Sequence, residues 1–465
     1  MLKRVSIFLL FAILSSFTVQ PALAQTSGPI YIVQPGDTLS FIASRFNVTI
    51  SDLVTANPTL DPNVLSQGQQ IVIPGLEGVT GILETEIVSF GDSLHSLSRR
   101  TQVEDEQLKK LNRLVSPSEL YVGISLIVPT RENQQSLSTR ITTSAGESLL
   151  ELAVRQGSDP WTLTSVNKLG GTWDALPGDV LYSLTGTNAE GATGLPSAFQ
   201  SASIAPLPLV QGSTEAIRAV VQAGVSLSGT LVDVPLHFFP ADGGEQVALQ
   251  GIHALLEPGV YPLLIEALFP DGSKQSFQQM VLVTSGNYLS EPIPLNDPSL
   301  IDPAVTEPEL ATLTAITAPA TPIHYWTSSF TSPATDPNCF TSRYGTRRTY
   351  TVINSELEVD GFHTGLDFCG GEGLQIFAPA PGKVVFAAPL TVRGNATIID
   401  HGWGVYSGFW HQSQFSVNVG DMVEAGQVIG LVGGTGRVTG AHLHWEVWVN
   451  GVQVNPLDWL NQVFP

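Results

Sequence analysis

The stretch Gly440-Ala441-His442-Leu443-His444-Trp445-Glu446-Val447 reads as a β-strand, because Leu, Trp and Val follow the glycine in a tight apolar run. Residues i and i+2 of a strand face the same side, so His442 and His444 enter one site. Earlier in the chain stands His363-Thr364-Gly365-Leu366-Asp367. Gly365 and the Gly370-Gly371 pair argue against a helix there, and a strand with its lead-in loop places His363 and Asp367 on one face. The two motifs together offer three metal ligands and a spare imidazole. Two neutral imidazoles and one carboxylate form a borderline-soft set suited to tetrahedral zinc, with a fourth position left to water. Such a water ionises near pH ~7 and attacks a carbonyl carbon, so zinc-assisted hydrolysis is the first functional expectation. The chain has no HExxH motif, so a glutamate base of that kind is not available from one.

Further stations surround these motifs. Ser342-Arg343-Tyr344-Gly345-Thr346-Arg347 precedes the first, and Ala378-Pro379-Ala380-Pro381-Gly382-Lys383-Val384-Val385 and Asp400-His401-Gly402-Trp403-Gly404 lie between the two. Val419-Gly420-Asp421, Gly426-Gln427-Val428-Ile429-Gly430, Asn450-Gly451 and Asn455-Pro456 complete the series. In this order they make the segment from about Tyr325 to Pro465 resemble the lysostaphin/LytM-type zinc endopeptidases of bacterial cell walls. The resemblance implies a mainly antiparallel β domain over 325–465 that binds one Zn2+ per chain and hydrolyses peptide cross-links of peptidoglycan. It assigns His363, Asp367 and His444 to the metal, His442 to catalysis, and His411, in Ser407-Gly408-Phe409-Trp410-His411, as the partner of His442. Phe409 stands where the family usually has Tyr. On this reading His442 and His411 handle the proton and stabilise the developing oxyanion. Some relatives have lost ligands and serve as non-catalytic activators of wall amidases; here all three ligand positions are filled, which favours the enzyme. A purely glycan-binding wall protein is the other rival. His401, in a Gly-flanked turn, is read as structural, and the Gly433-Gly434-Thr435-Gly436 loop as a groove wall or a tight turn.

A repeat precedes this domain. Gly36-Asp37-Thr38-Leu39, Gly91-Asp92-Ser93-Leu94 and Gly146-Glu147-Ser148-Leu149 recur at one interval, as do Asn57, Asn112 and Asn167, and Gly68, Gly123 and Gly178. Each unit reads as strand, helix, helix, strand (βααβ). In the first, Asp37 or Thr38 caps a helix through Phe46 whose apolar stripe is Leu39, Ile42, Ala43 and Phe46. These α+β units resemble LysM glycan-binding modules: module 1 at 30–75, with divergent modules 2 and 3 at 85–130 and 139–185. The resemblance places N-acetylglucosamine units of glycan against Gly36, Asp37, Thr38, Asn57, Pro58, Thr59 and Leu60. Phe90 and Ala145 replace the Pro35 of the first copy.

The remaining segments set the context. Basic residues at Lys3 and Arg4, an apolar run from Val5 to Phe17 and Ala22-Leu23-Ala24 read as a signal peptide over 1–24. This implies a secreted protein, extracellular, in the cell wall or periplasm, with no membrane span after cleavage. A net charge of −21, from 20 basic and 41 acidic residues, disfavours binding to nucleic acid. Cys339 and Cys369 are the two cysteines, in a compartment where disulfides persist; a bridge between them would contribute ~3–4 kcal/mol. Residues 186–205 read as a linker rich in Gly, Ala, Ser and Thr. Six or seven β-prone runs over 206–288, with Asp271-Gly272 as a hairpin turn, fit an all-β immunoglobulin-like sandwich. Residues 289–324 read as a second linker with a short helix around Glu307 to Leu313.

Overall fold

The computed structural model describes residues 28–465 apart from 77, 131–136, 138, 144–146, 176–178, 185–193, 296–297, 354–355 and 439. The signal segment 1–24, Gly146, Gly178 and residues 186–193 therefore lie outside the described residues. Two compact units emerge: Met1–Glu84 with Pro129–Gln134, and Thr85–Val128 with Gln135–Pro465.

In the first unit the strands Ile30–Ile32 and Gln70–Val72 pair antiparallel around Tyr31 and Ile71. Helices Leu39–Phe46 and Ile50–Ala56 pack on them. Thr38, not Asp37, is the first N-cap, its hydroxyl accepting from Phe41 N, while Thr49 and Asp52 form a capping box on the second. Leu39, Ile42, Ala43 and Phe46 are buried, as the helical period requires. Asn57 explains its own recurrence. Its side chain donates to Leu53 O and Val72 O and accepts from Val72 N, stapling a helix end to a strand edge. Asn112 does the same with Leu108 and Ile127, and Asn167 with Leu163 and Tyr182.

The second unit contains two further helix pairs, Leu94–Thr101 with Asp105–Asn112 and Leu149–Arg155 with Pro160–Val166. Next come a five-stranded and a four-stranded sheet that share one apolar cluster, including Ile217, Ala248, Leu263, Ile265 and Val281. The expected linker 186–205 needs correction: Phe199–Ala205 is a strand paired with Thr214–Val221. Its Ser/Ala composition masks two anchors, Phe199 and Ile204, both buried in that cluster. The 289–324 linker is corrected likewise. Ser290–Leu295 forms a strand parallel to Arg347–Val352, tolerating Pro292 and Pro294 because it lies at a sheet edge. A helix runs over Pro303–Thr317, capped by Asp302, and buries Leu313 beside Trp410 and Trp448.

The C-terminal part is a mainly antiparallel sheet whose central strand is Leu443–Val449. Leu366–Phe368 flanks it on one side, with Asp367 opposite His444. Val405–Gln412 flanks the other, with Trp410 opposite His444 and Gly408 opposite Glu446. Trp445 is fully buried in the core, whereas Trp410 lies beside the cleft described below. The four-stranded sheet lends its other face to this core: Phe239 stacks on Trp403 with ring centroids 5.4 Å apart. Cys339 and Cys369 are bridged, with Cα atoms 5.5 Å apart. No helix among the described residues is long and apolar enough to cross a membrane.

Candidate metal centre

Adjacent strands bring the two histidine motifs together. Asp367 and His444 are direct cross-strand partners, and His363 enters from the turn after Glu358–Phe362. That turn depends on Gly365, where a Cβ would collide with Trp445 O and crowd His444 Nε2. His444 Nδ1 lies 2.7 Å from Asp367 Oδ1 and 3.1 Å from His363 Nε2, and His363 Nε2 lies 3.1 Å from Asp367 Oδ2. All three residues are buried, and one ligand atom from each falls within 4.8 Å of the others.

The far side of each imidazole fixes its tautomer. His363 Nδ1 is 2.9 Å from Arg343 O, and a carbonyl only accepts, so Nδ1 carries the proton and Nε2 offers its lone pair. His444 Nε2 faces Glu446 Oε1 at 3.2 Å, which leaves Nδ1 as the donor atom toward Asp367. Burial alone would lower the pKa of His444, but the Asp367 and Glu446 carboxylates outweigh it and raise it to about 9. Burial pushes Asp367 up, yet His444 and His363 hold its carboxyl far below the usual range. The pocket thus demands positive charge among converging N, N and O atoms, and a divalent cation fits that set.

The remaining predicted imidazoles line the same cleft. His411 stands 5.2 Å from His442 between ring centroids and 6.1 Å from His444. His411 Nδ1 donates to Thr435 O at 2.8 Å, and His442 Nδ1 donates to Gly440 O at 2.9 Å. With Nδ1 bound to a carbonyl, each ring turns its Nε2 to the cleft. Burial, followed by the neighbouring His444, pushes His411 down to about 3, so it is neutral. Its backbone is left-handed at φ 64°, a conformation costly for a non-glycine residue and held here by His411 N donating to Arg393 O. The Gly433–Gly436 loop makes a tight turn: Gly436 has positive φ, and Thr435 O accepts from His411 Nδ1. His401 is structural as expected, bonded to Pro381 O and Ser407 Oγ in full burial.

Sequence reading missed Glu446. Its Oε1 accepts from Thr364 Oγ1 at 2.6 Å, and its Oε2 from Trp448 Nε1 at 2.8 Å and Gln453 Nε2 at 3.0 Å. It also missed Glu309, whose helix lay inside the expected linker; it holds Val392 N, Arg393 N and Arg393 Nη1 at the cleft rim. The parity of Glu446 with His444 was the one available signal.

In module 1, Gly36, Thr38, Pro58 and Thr59 are exposed and Asp37 half-buried. The Asn57 amide is engaged in its staple, and Leu60 is buried in the module.

Residues 361–456 match the model of peptidase family M23, and residues 31–74 and 87–129 match the LysM domain model. The chain carries a peptidase family M23 domain and two LysM domains. The 139–185 stretch, expected as a third module, lies outside these matches. The M23 domain is 44% identical over 96 residues to the DD-carboxypeptidase/endopeptidase Mpg of Neisseria meningitidis, covering 21% of this chain and 22% of the relative. Identity is 40% over 95 residues to the peptidoglycan DD-endopeptidase ShyA of Vibrio cholerae, covering 20% and 22%. The murein hydrolase activator NlpD of Salmonella dublin is 33% identical over 150 residues, covering 32% and 40%. The matched stretch thus spans about a fifth to two fifths of these curated relatives' length.

Proposed function

We propose that this chain is a secreted zinc-dependent endopeptidase that hydrolyses peptide cross-links of bacterial peptidoglycan. The observation that carries this reading is the complete, buried His363–Asp367–His444 trio with both outer imidazole nitrogens already engaged by acceptors. Zinc held there would supply Lewis acidity and an activated water. His442 and His411, each with Nδ1–H bound to a carbonyl, hold Nε2 ready to take a proton and later return it to the leaving amine. Trp410, Ile293 and Leu295 form apolar walls that limit water around the bound peptide.

Module 1 would hold the chain on glycan, raising the local concentration of stem peptides at the M23 domain. Modules 2 and 3 and the two-sheet unit, read as an immunoglobulin-like sandwich, are spacers in this scheme. The activator alternative draws on the likeness to NlpD, but a filled ligand trio is not required of an activator. Mass spectrometry of fragments released from defined muropeptides, with and without chelator, tests the reading. Chelator-sensitive cleavage of a stem-peptide bond supports it, and zinc-loaded protein that releases nothing refutes it.

A further inference from the structure

We infer that Glu309, on the helix Pro303–Thr317 that precedes the matched stretch 361–456, is a positioning residue for the metal centre, acting through Arg393 on Glu446 and so on His444. This rests on the zinc reading above and extends the machinery to a segment outside the M23 match.

Glu309 is buried, and a carboxylate there is costly unless its oxygens are bonded. Its bonds all come from one short stretch. Val392 N donates to Oε2 at 2.7 Å, and Arg393 N and Nη1 both donate to Oε1 at 3.1 Å. Three donors on two consecutive residues fix the backbone and the guanidinium of Arg393 together. Docking of the helix does not require such a grip, because Leu313 already packs beside Trp410 and Trp448.

Arg348, Arg393 and Arg437 line the cleft, and of these Arg393 stands between Glu309 and Glu446. Its Nη2 lies 3.8 Å from Glu446 Oε1, the oxygen that is 3.2 Å from His444 Nε2. That separation gives charge attraction without a hydrogen bond, and at a buried carboxylate the attraction is weakly screened. Arg393 thus sustains the charge of Glu446 while leaving Oε1 to the imidazole. Released from Glu309, the guanidinium would close on Oε1 and compete with His444 for it, since a charge-assisted pair at hydrogen-bond distance is stronger than one held apart. The placement of Arg393 matters to a second imidazole as well: its carbonyl accepts from His411 N at 2.9 Å, where the His411 backbone is left-handed.

The test uses the full chain and reads zinc affinity by competition with a chromophoric chelator. Glu309→Gln is expected to bind zinc ~3–10-fold more weakly, a smaller loss than in Glu446→Gln because the influence passes through one more residue. The double variant Glu309→Gln/Glu446→Gln should bind no more weakly than Glu446→Gln alone, since the two groups act in series. With cobalt in place of zinc, the visible ligand-field bands should change in Glu309→Gln, which a carboxylate that merely docks a helix would not cause. Arg393→Lys, too short a fork to serve Glu309 and Glu446 together, should repeat the loss and its non-additivity, and it carries the test if Glu309→Gln does not fold. A Glu309→Gln affinity within twofold of the parent, losses that multiply in the double variant, or unchanged cobalt bands overturn the role. A parent chain that binds no zinc overturns the metal reading and this role with it. A parent that binds zinc and cleaves nothing leaves the role standing and overturns the hydrolase reading.

Discussion

Glu446 Oε1 lies 3.2 Å from His444 Nε2, on the side of the imidazole opposite Asp367. Thr364, Trp448 and Gln453 donate to the same carboxylate, and burial is outweighed by Arg393 and His444, so Glu446 stays ionised. It is a positioning residue: it holds His444 Nε2, so that Nδ1 is the nitrogen turned toward Asp367 and His363. Glu446→Gln is expected to weaken zinc binding ~10–100-fold, measured by competition with a chromophoric chelator. An affinity within twofold of the parent would remove this role.

Metal binding and proton handling are expected to separate by mutation. His442→Ala should retain one zinc per chain while turnover falls ~100- to 10,000-fold, because His442 stands outside the ligand trio and is proposed to handle the proton. His363→Ala should lose the metal itself. Elemental analysis beside turnover decides; loss of zinc in both variants would contradict the assignment.

His401 should set an acid limit on stability. Burial lowers its pKa from 6.5 to about 4, so the unfolded chain binds the proton first as pH falls. Its contribution is fully present above pH 6.5 and is lost as pH drops through about 4, ~3 kcal/mol in all. Denaturant unfolding across that window measures it. In His401→Gln the slope should flatten; an identical acid slope would assign the effect to other groups.

The second LysM domain is expected to be closed to glycan. Phe90 is buried in the sheet cluster against Phe277, and Gly91 N donates to Gln279 Oε1 at 3.0 Å. Asp92 is bound by Arg100 Nη1 at 2.8 Å. In hydrogen exchange with an N-acetylglucosamine oligomer, protection should appear at the amides of residues 34, 36–38 and 59 but not at 89–93. Protection over 89–93 would show an open groove.

Much of this protein is determined locally. Helix caps at Thr38, Thr49 and Ser148, the buried stripe of Leu39 to Phe46, and the parity of His442 and His444 follow from short-range periodicity. Such spacing is set by backbone geometry alone. Where the chain departs from expectation, the cause is nonlocal. Phe199–Ala205 and Ser290–Leu295 look like linkers because their strand character depends on partners far along the chain. Asn57 recurs as a ligand-loop residue would, but a strand edge fifteen residues away consumes its amide. The sequence by itself determined the modules, the helix ends and which side chains have metal-binding chemistry. Only the tertiary structure decided that Glu446 orients His444, that Glu309 reaches the cleft rim, and that three arginines share its wall. Those relationships arise from register between strands and packing of distant segments, which no local pattern encodes.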